Sequence, residues 1–241
     1  MKKSYWKTCI LFLLTGLLLN SAEPAIRIVE GIQPAKYEAL ATVELKSFLE
    51  KMTGEEIPVL REGTGKIQGP AIFLGWTEFA RKNGIDFSKL GKEEWIVRSA
   101  GNSLILSGGR PVGSLYVVYE FLERNGVKFL AWDATSIPSK KDLTLSGYNL
   151  SGKPSFDGRN LHQALPSRRL EYGISKEVLA QYDLYRLRSR ASGESIYRYK
   201  PLYEGDLFRF SPHSGTFHNF YKYVAPQKYF KDHPEIGRAH V

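Results

Sequence analysis

The chain contains 241 residues, and its formal net charge of +9 would suit an acidic partner such as nucleic acid. The basic residues are nevertheless interleaved with acids and tyrosines, and no run of five like charges occurs. Nucleic-acid binding uses a clustered basic surface, so we predict no nucleic-acid partner. The single cysteine excludes an internal disulfide and a zinc site built from cysteines. Stability must therefore come from packing.

The first 22 residues have the pattern of a secretory signal peptide. Three lysines precede an apolar run at residues 10–19, and small residues lead up to Ala22. That run is shorter than the roughly 20 residues that span a bilayer, although a retained membrane anchor is the alternative. Cys9 lies inside the run, where it makes a poor lipoprotein cysteine. We predict cleavage after Ala22 and export, periplasmic or extracellular, with no membrane association afterwards.

Residues 23–150 have the pattern of a compact α/β domain. Apolar runs predict strands at residues 25–29, 57–60, 71–75, 95–98, 104–106, 128–132 and 143–145. Pro58 places the second of these at a sheet edge, and Gly101-Asn102 predicts a hairpin turn between the fourth and fifth. Pro34 is expected in the first turn of a helix that Gly54 ends. The apolar stripe of that helix comprises Tyr37, Leu40, Ala41, Leu45, Phe48, Leu49 and Met52.

A second helix follows a glycine turn that carries Arg110. Its apolar residues recur at i, i+3, i+4 and i+7, and Gly126 stands where a left-handed residue usually ends a helix. These apolar positions are Leu115, Val118, Tyr119 and Leu122. The fold class is therefore α/β (α+β), a mixed sheet with two helices on one face, followed by the start of an incomplete (β/α)₈ barrel.

The glycine turn has three interpretations. A dinucleotide-binding turn needs glycines at i, i+2 and i+5, and Gly108 and Gly113 supply only the outer two because Arg110 occupies the middle. Asp133 imitates the ribose-binding acid of such sites. The second interpretation is a tight strand-to-helix turn. The third makes Arg110 an exposed ligand or interface residue.

Several stretches resemble a known domain. They are LEKMTGEEIPV, AIFLG, EWIVRSAGNSLILSGGRPVGSLYVVYEFLERNGVKFLA and IPSKKDLTL. Together they resemble the N-terminal domain of family 67 α-glucuronidases, and a similar domain precedes the barrel of family 20 β-hexosaminidases. The resemblance implies an accessory domain in a secreted bacterial protein, with chemistry on the barrel that follows. It implies an exported glycoside hydrolase acting on xylan or other uronic-acid glycans. The alternative is a non-catalytic glycan-binding protein.

Residues 151–235 would form the start of that barrel. Residues 154–162 fit a first strand whose carboxyl end would face the active site. Basic residues that could line a sugar site are Arg110, Arg159, His162, Arg188, Arg190, His213 and His218. The two last histidines are five residues apart without an HExxH motif, so we predict no metal site and no cofactor. The alternative for the histidines is a cap or loop hydrogen bond, and for Arg188 and Arg190 a solvated face.

The catalytic acids of a glycosidase are not assigned. Glycoside hydrolysis usually needs two carboxyl groups across the scissile bond. Glu204 and Asp206 are the only close acidic pair of the second half, but Gly205 between them favours a loop. The resemblance places the catalytic acids on later barrel strands, so we expect this chain by itself not to hydrolyse glycosides.

The last six residues, 236–241, are what a common sequencing-adapter read would encode. We therefore expect native sequence to stop near Glu235, with a genuine polar tail as the alternative. Strands of a partial barrel would expose unpaired edges, and such a region is expected to be poorly ordered or prone to aggregation.

Overall fold

The domain is built on a mixed sheet, as the sequence predicts, and this sheet has six strands. The computed structural model describes residues 26–156, 159 and 175–191, without the side chains of Lys176 and Leu179. The strands follow the order β2-β1-β3-β5-β4-β8, and a hairpin of β6 and β7 stands apart from them. The strands are β1 (Arg27–Glu30), β2 (Val59–Arg61), β3 (Ala71–Leu74), β4 (Trp95–Ala100), β5 (Ser103–Gly108), β6 (Lys128–Ala131), β7 (Ala134–Ser136) and β8 (Asn149–Gly152).

The sheet has a parallel part of four strands and an antiparallel part formed by β4 and β8. β1, β2, β3 and β5 are parallel, with Ile28 opposite Val59 on one side and Ile72 on the other. β4 returns antiparallel to β5 through the turn at Gly101-Asn102, and β8 pairs antiparallel with β4. The prediction of β2 as an edge strand is confirmed. The carboxyl ends of the four parallel strands thus meet at one edge of the sheet.

Two long helices cover one face of the sheet. α1 (Lys36–Thr53) and α3 (Gly113–Arg124) pack on each other and on the sheet, and every predicted stripe residue of α1 except Leu40 is buried. α3 is buried on almost all sides, because Val117 and Phe121 are as inaccessible as the predicted stripe. Gly54 ends α1 in a left-handed conformation with φ of 77°. The two-helix face is confirmed.

The opposite face of the sheet is covered by two short helical elements that the sequence pattern did not predict. A short helix, α2 (Glu78–Lys82), and a 3-10 turn at Phe87–Lys89 pack over Ile105 of β5. The side chain of Thr77 accepts a hydrogen bond from Ala80 N and starts α2. Five residues are too few for an apolar period, which explains why the pattern missed this helix.

Two predictions about elements are wrong. Residues 143–145 form no strand; Leu145 is buried there by an irregular segment, and its carbonyl accepts a hydrogen bond from Ser99 Oγ at 2.6 Å. Pro34 lies before the helix rather than in its first turn, because α1 begins at Lys36 with Ala35 as the N-cap. The strand predicted at 128–132 is confirmed as β6, which pairs with β7 in a sheet separate from the main one.

The chain continues beyond the sheet into a helix of polar sequence. α4 (Lys176–Arg188) begins at Ser175, whose side chain accepts from Val178 N. Although α4 shows no apolar stripe, five of its residues are buried. These are Tyr182, Asp183, Tyr185, Arg186 and Leu187. A polar helix that is buried must have its charged groups compensated by neighbours. Of the strand predicted at 154–162, the described positions 154–156 and 159 are not in a strand.

Candidate functional site

The glycine turn after β5 is closed by its own backbone. Gly109 N donates to the Glu94 carbonyl at 2.9 Å, and Gly113 N donates to the Gly109 carbonyl at 2.8 Å. A Cβ on Gly108 would lie 2.2 Å from the backbone of Gly113, and one on Gly109 would lie 1.9 Å from the oxygen of Gly91. The glycines therefore permit backbone segments to touch. The amides of Gly109 and Gly113 are already bonded within the protein, so these two groups are not available to hold a phosphate.

Arg110 points from this turn to a carboxylate at the carboxyl edge of the parallel strands. Its Nη2 lies 2.8 Å from Glu38 Oε2 and its Nε lies 3.3 Å from Oε1, a two-point ion pair. Glu38 also accepts from Ala35 N at 2.7 Å, the N3-to-N-cap half of a capping box, and from Trp76 N at 3.2 Å. This carboxylate is therefore saturated with donors although only 3% of its side chain is exposed.

The ring of Trp76 completes this cluster. The guanidinium of Arg110 stands 4.2 Å from the ring centroid, close enough for a cation–π contact. Trp76 Nε1 donates to the carbonyl of Gly108 at 2.8 Å, and its ring stacks on Phe87 at 4.9 Å. We name Glu38, Trp76 and Arg110 the edge cluster.

The edge cluster keeps one donor group available. Among the described residues, Nη1 of Arg110 has no hydrogen-bond partner, and 37% of the Arg110 side chain is exposed. Its Nη2 additionally approaches the carbonyl of Gln33 at 3.4 Å. Glu38 already neutralises the positive charge of Arg110, which weakens the attraction of Nη1 for a carboxylate ligand. The main role of the edge cluster is therefore to stabilise the fold.

The later arginines lie away from the edge cluster, each against a carboxylate. Arg188 forms a two-point pair with Glu44 of α1, at 2.8 and 3.1 Å. Arg190 lies between Glu120 and Glu123 of α3, at 3.3 and 2.6 Å.

Arg159 pairs with Glu93 and donates through Nε to the carbonyl of Arg190 at 2.6 Å. The structure thus brings Arg159 and Arg190 into contact with each other. Their carboxylate partners differ from Glu38, the partner of Arg110. His162, His213, His218, Glu204 and Asp206 lie outside the described residues, so their proposed roles stay predictions.

Asp183 of α4 is a buried carboxyl group. Its side chain is inaccessible to solvent, and neither oxygen has a hydrogen-bond partner among the described residues. Burial raises the pKa of Asp183 to about 7, and the nearby positive charge of Arg186 only partly opposes that rise. Nothing in the sequence pattern marked this residue.

An open cleft lies on the α2 face of the sheet. Its volume is about 570 Å³, and it runs between α2 and the loop after β2. The stacked rings of Phe73 and Phe79, 3.8 Å apart, form its apolar part, and Lys82, Asn102 and Ser103 add polar groups. Glu62 at its rim is engaged, because it accepts from the backbone nitrogens at the start of α2 at 2.6 and 2.8 Å.

Within residues 26–156, 159 and 175–191, no three His, Cys, Asp or Glu side chains are grouped to hold a metal ion. No helix in the same part of the chain is long and apolar enough to cross a membrane.

The fold resembles part of a known glycoside hydrolase. It matches a family GH115 4-O-methyl-α-glucuronidase, BtGH115A, with specificity for decorated arabinogalactans, at a TM-score of 0.52 and 19% identity over 69% of this chain. It also matches a GH138 enzyme targeting pectin rhamnogalacturonan II, at a TM-score of 0.44 and 16% identity over 70% of this chain. The matched parts are 24% and 18% of those proteins, so the chain spans at most about a quarter of either.

The class is therefore an α/β domain of glycoside hydrolase-like fold. No protein-family profile and no curated protein sequence matches the chain. The similarity to family 67 is not confirmed, and the structural neighbours belong to other glycoside hydrolase families.

The edge cluster was only partly visible in the sequence. Arg110 stood out because it interrupts a glycine turn, whereas Glu38 and Trp76 lie 72 and 34 residues before it. The sequence signal for Glu38 was its position. It is the third residue of α1, where a glutamate can complete a capping box as the N3 residue. Its pairing with Arg110 depends on the strand order.

Substitution of Gly109 by Ala tests the backbone packing of the turn. The new Cβ would meet the carbonyl oxygen of Gly91, and backbone cannot move aside cheaply. We expect the free energy of unfolding to fall by about 3 kcal/mol or more, measured by chemical denaturation. Gly65→Ala is the matched control, because nothing lies within 4 Å of its Cβ, and its effect should stay within about 0.5 kcal/mol. Equal effects of the two substitutions would contradict the packing argument.

Asp183→Asn tests the buried carboxyl group. With a folded pKa of about 7 and an ordinary value of 3.8, folding takes up a proton between these values. The carboxyl group therefore destabilises the fold increasingly as pH rises from about 4 to about 7. We expect Asp183→Asn to raise Tm at pH 8 and to raise it much less at pH 5, in thermal melts followed by circular dichroism. A gain at pH 5 as large as that at pH 8 would refute the assignment.

Proposed function

We propose that the described domain is an accessory domain of an exported, glycan-acting protein of glycoside hydrolase type. The observation that carries the proposal is the fold similarity to the GH115 enzyme, in which the match covers 69% of this chain but 24% of the enzyme. In this proposal the chemistry lies in other parts of the protein. The signal-peptide pattern of residues 1–22 supports export.

The carboxylates of the sheet support an accessory role. A glycosidase needs one carboxyl group to donate a proton and a second to act as base or nucleophile. At the carboxyl edge, Glu38 is saturated by Arg110 and two backbone amides, and Glu30 accepts from Arg61 at 2.8 Å. Glu62 is held by the start of α2. The oxygens of these acids are engaged in holding the fold together, which suits neither catalytic role.

Uronic-acid glycans are the proposed substrate class. The sequence resemblance to family 67 α-glucuronidases and the α-glucuronidase activity named for the GH115 neighbour support the same class. Arg110, whose side chain is 37% exposed, is our candidate in this domain for contact with a uronate carboxylate. The histidines at 162, 213 and 218 stay candidates for contacts with sugar.

Glycan binding without hydrolysis is the second candidate. The observation that favours it is the cleft on the α2 face, where aromatic rings and polar groups lie side by side. Most small-ligand sites combine an apolar lining with a few polar groups in this way.

Turnover and binding assays on the purified chain separate the two candidates. We expect no release of aryl product from an aryl-glucuronide or an aryl-hexosaminide, and measurable turnover would overturn the accessory role. Calorimetry with aldouronic and neutral xylo-oligosaccharides then tests binding. Binding that Asn102→Ala weakens about tenfold or more would favour the second candidate, since loss of a polar contact in a binding cleft has that size. Lys66→Ala, an exposed lysine that does not line the cleft, is the control.

A further inference from the structure

A set of carboxylates lies on the side of the domain that faces α4. Glu44 lies on α1, Glu120 and Glu123 lie on α3, and Glu93 precedes β4. We name these four residues the acidic docking face. We infer that it is the attachment surface for Arg159 and residues 175–191, and that Arg159, Arg188 and Arg190 serve attachment rather than sugar recognition.

Arg188 makes the most specific of these contacts. Its guanidinium forms two hydrogen bonds with the carboxylate of Glu44, in the planar geometry that an arginine can offer and a lysine cannot. The same guanidinium lies 5.1 Å from the ring of Phe48 and 5.4 Å from that of Phe129. Aromatic rings on two elements therefore orient this side chain toward α1.

Arg190 and Arg159 extend the attachment to α3 and to the start of β4. Arg190 bridges Glu120 and Glu123 through its two terminal nitrogens. Its carbonyl accepts from Arg159, and Arg159 pairs in turn with Glu93. The backbone of Arg190 has a φ of 52°, a left-handed conformation typical of a helix end, and Ala191 N donates to the carbonyl of Arg186 at 2.8 Å. Three arginines thus contact three separate elements of the domain.

Burial distinguishes these pairs from ordinary surface pairs. The side chains of Arg188 and Glu44 are 16% and 8% exposed, whereas those of Arg81 and Glu78 are 62% and 50% exposed. Exposed pairs contribute little to stability, but a partly buried pair leaves an uncompensated charge when one partner is lost. Loss of the Arg188 side chain should therefore make residues 175–191 open more often. Loss of the Arg81 side chain should have little effect on the structure around it.

The attachment is separable from the core of the sheet. α4 contributes Leu187 to the main hydrophobic cluster, while the rest of that cluster comes from the sheet, α1, α3 and the connections between them. Tyr185 adds a hydrogen bond from its hydroxyl to the carbonyl of Leu130 at 3.5 Å. Among the described side chains of α4, Leu187 joins the main cluster, while Tyr182 and Tyr185 are buried outside it. We therefore expect the arginine pairs to contribute much of the retention of α4. The sheet should remain folded when α4 is released.

Hydrogen exchange on the full chain tests this inference through the variant Arg188→Glu. We expect amide exchange in residues 175–191 to accelerate about tenfold or more, as for a broken partly buried ion pair, with exchange in β1, β3 and β5 unchanged. The double variant Glu44→Arg with Arg188→Glu should restore much of the protection. Arg188→Gln, a milder variant, should accelerate exchange in the same segment.

Arg81→Glu is the matched control, because it makes the same charge change at an exposed pair. It should leave exchange in residues 175–191 unaltered. Unchanged protection of that segment in both Arg188 variants would overturn the inference. Acceleration spread equally through the sheet strands would overturn it as well, because α4 would then belong to a single core.

Discussion

The buried carboxylate of Glu38 is the interaction on which the carboxyl edge of the sheet depends. It joins the first turn of α1, the segment after β3 and the turn between β5 and α3. Burying a carboxylate is costly unless several donors surround it, and Arg110 with two backbone amides supplies them. The close glycine contacts of the turn are what bring Arg110 within reach.

This use of the carboxyl edge bears on where a ligand can bind. Open α/β sheets usually bind ligands in the crevice beyond the carboxyl ends of their parallel strands. Here Trp76 and Arg110 occupy that position, and Gly31 and Gly75 bring backbone close to the same cluster. The usual ligand crevice of such a sheet is therefore filled by side chains of the domain itself.

Most of the fold was predictable because its signals are local. Apolar runs located β1, β3, β4 and β5, and the stripes of α1 and α3 marked their buried sides. Tertiary pairing decided the rest. β8 has a polar sequence, NLSG, and becomes a strand because β4 has an open edge, whereas the more apolar residues 143–145 do not.

The arginines show the limit of sequence reasoning about a site. The sequence suggested Arg110, Arg159, Arg188 and Arg190 as residues of a sugar site, and in the structure each one pairs with a carboxylate. The carboxylates belong to this same chain, and their separation along the sequence, 144 residues for Glu44 and Arg188, made the pairs invisible beforehand. Residue type gives the chemistry of a contact, but only topology gives its partner.

β8 determines where this chain can be divided. The boundary at residue 150 suggested by the sequence falls inside the strand, after two of its four residues. A cut there would remove the β8 partners of Trp95 and Ile96, leaving these two residues of β4 paired with β5 alone. Exposed strand edges invite pairing between molecules. A soluble version of the sheet domain must therefore extend through Gly152, where the absence of a side chain also leaves room for the ring of Trp95.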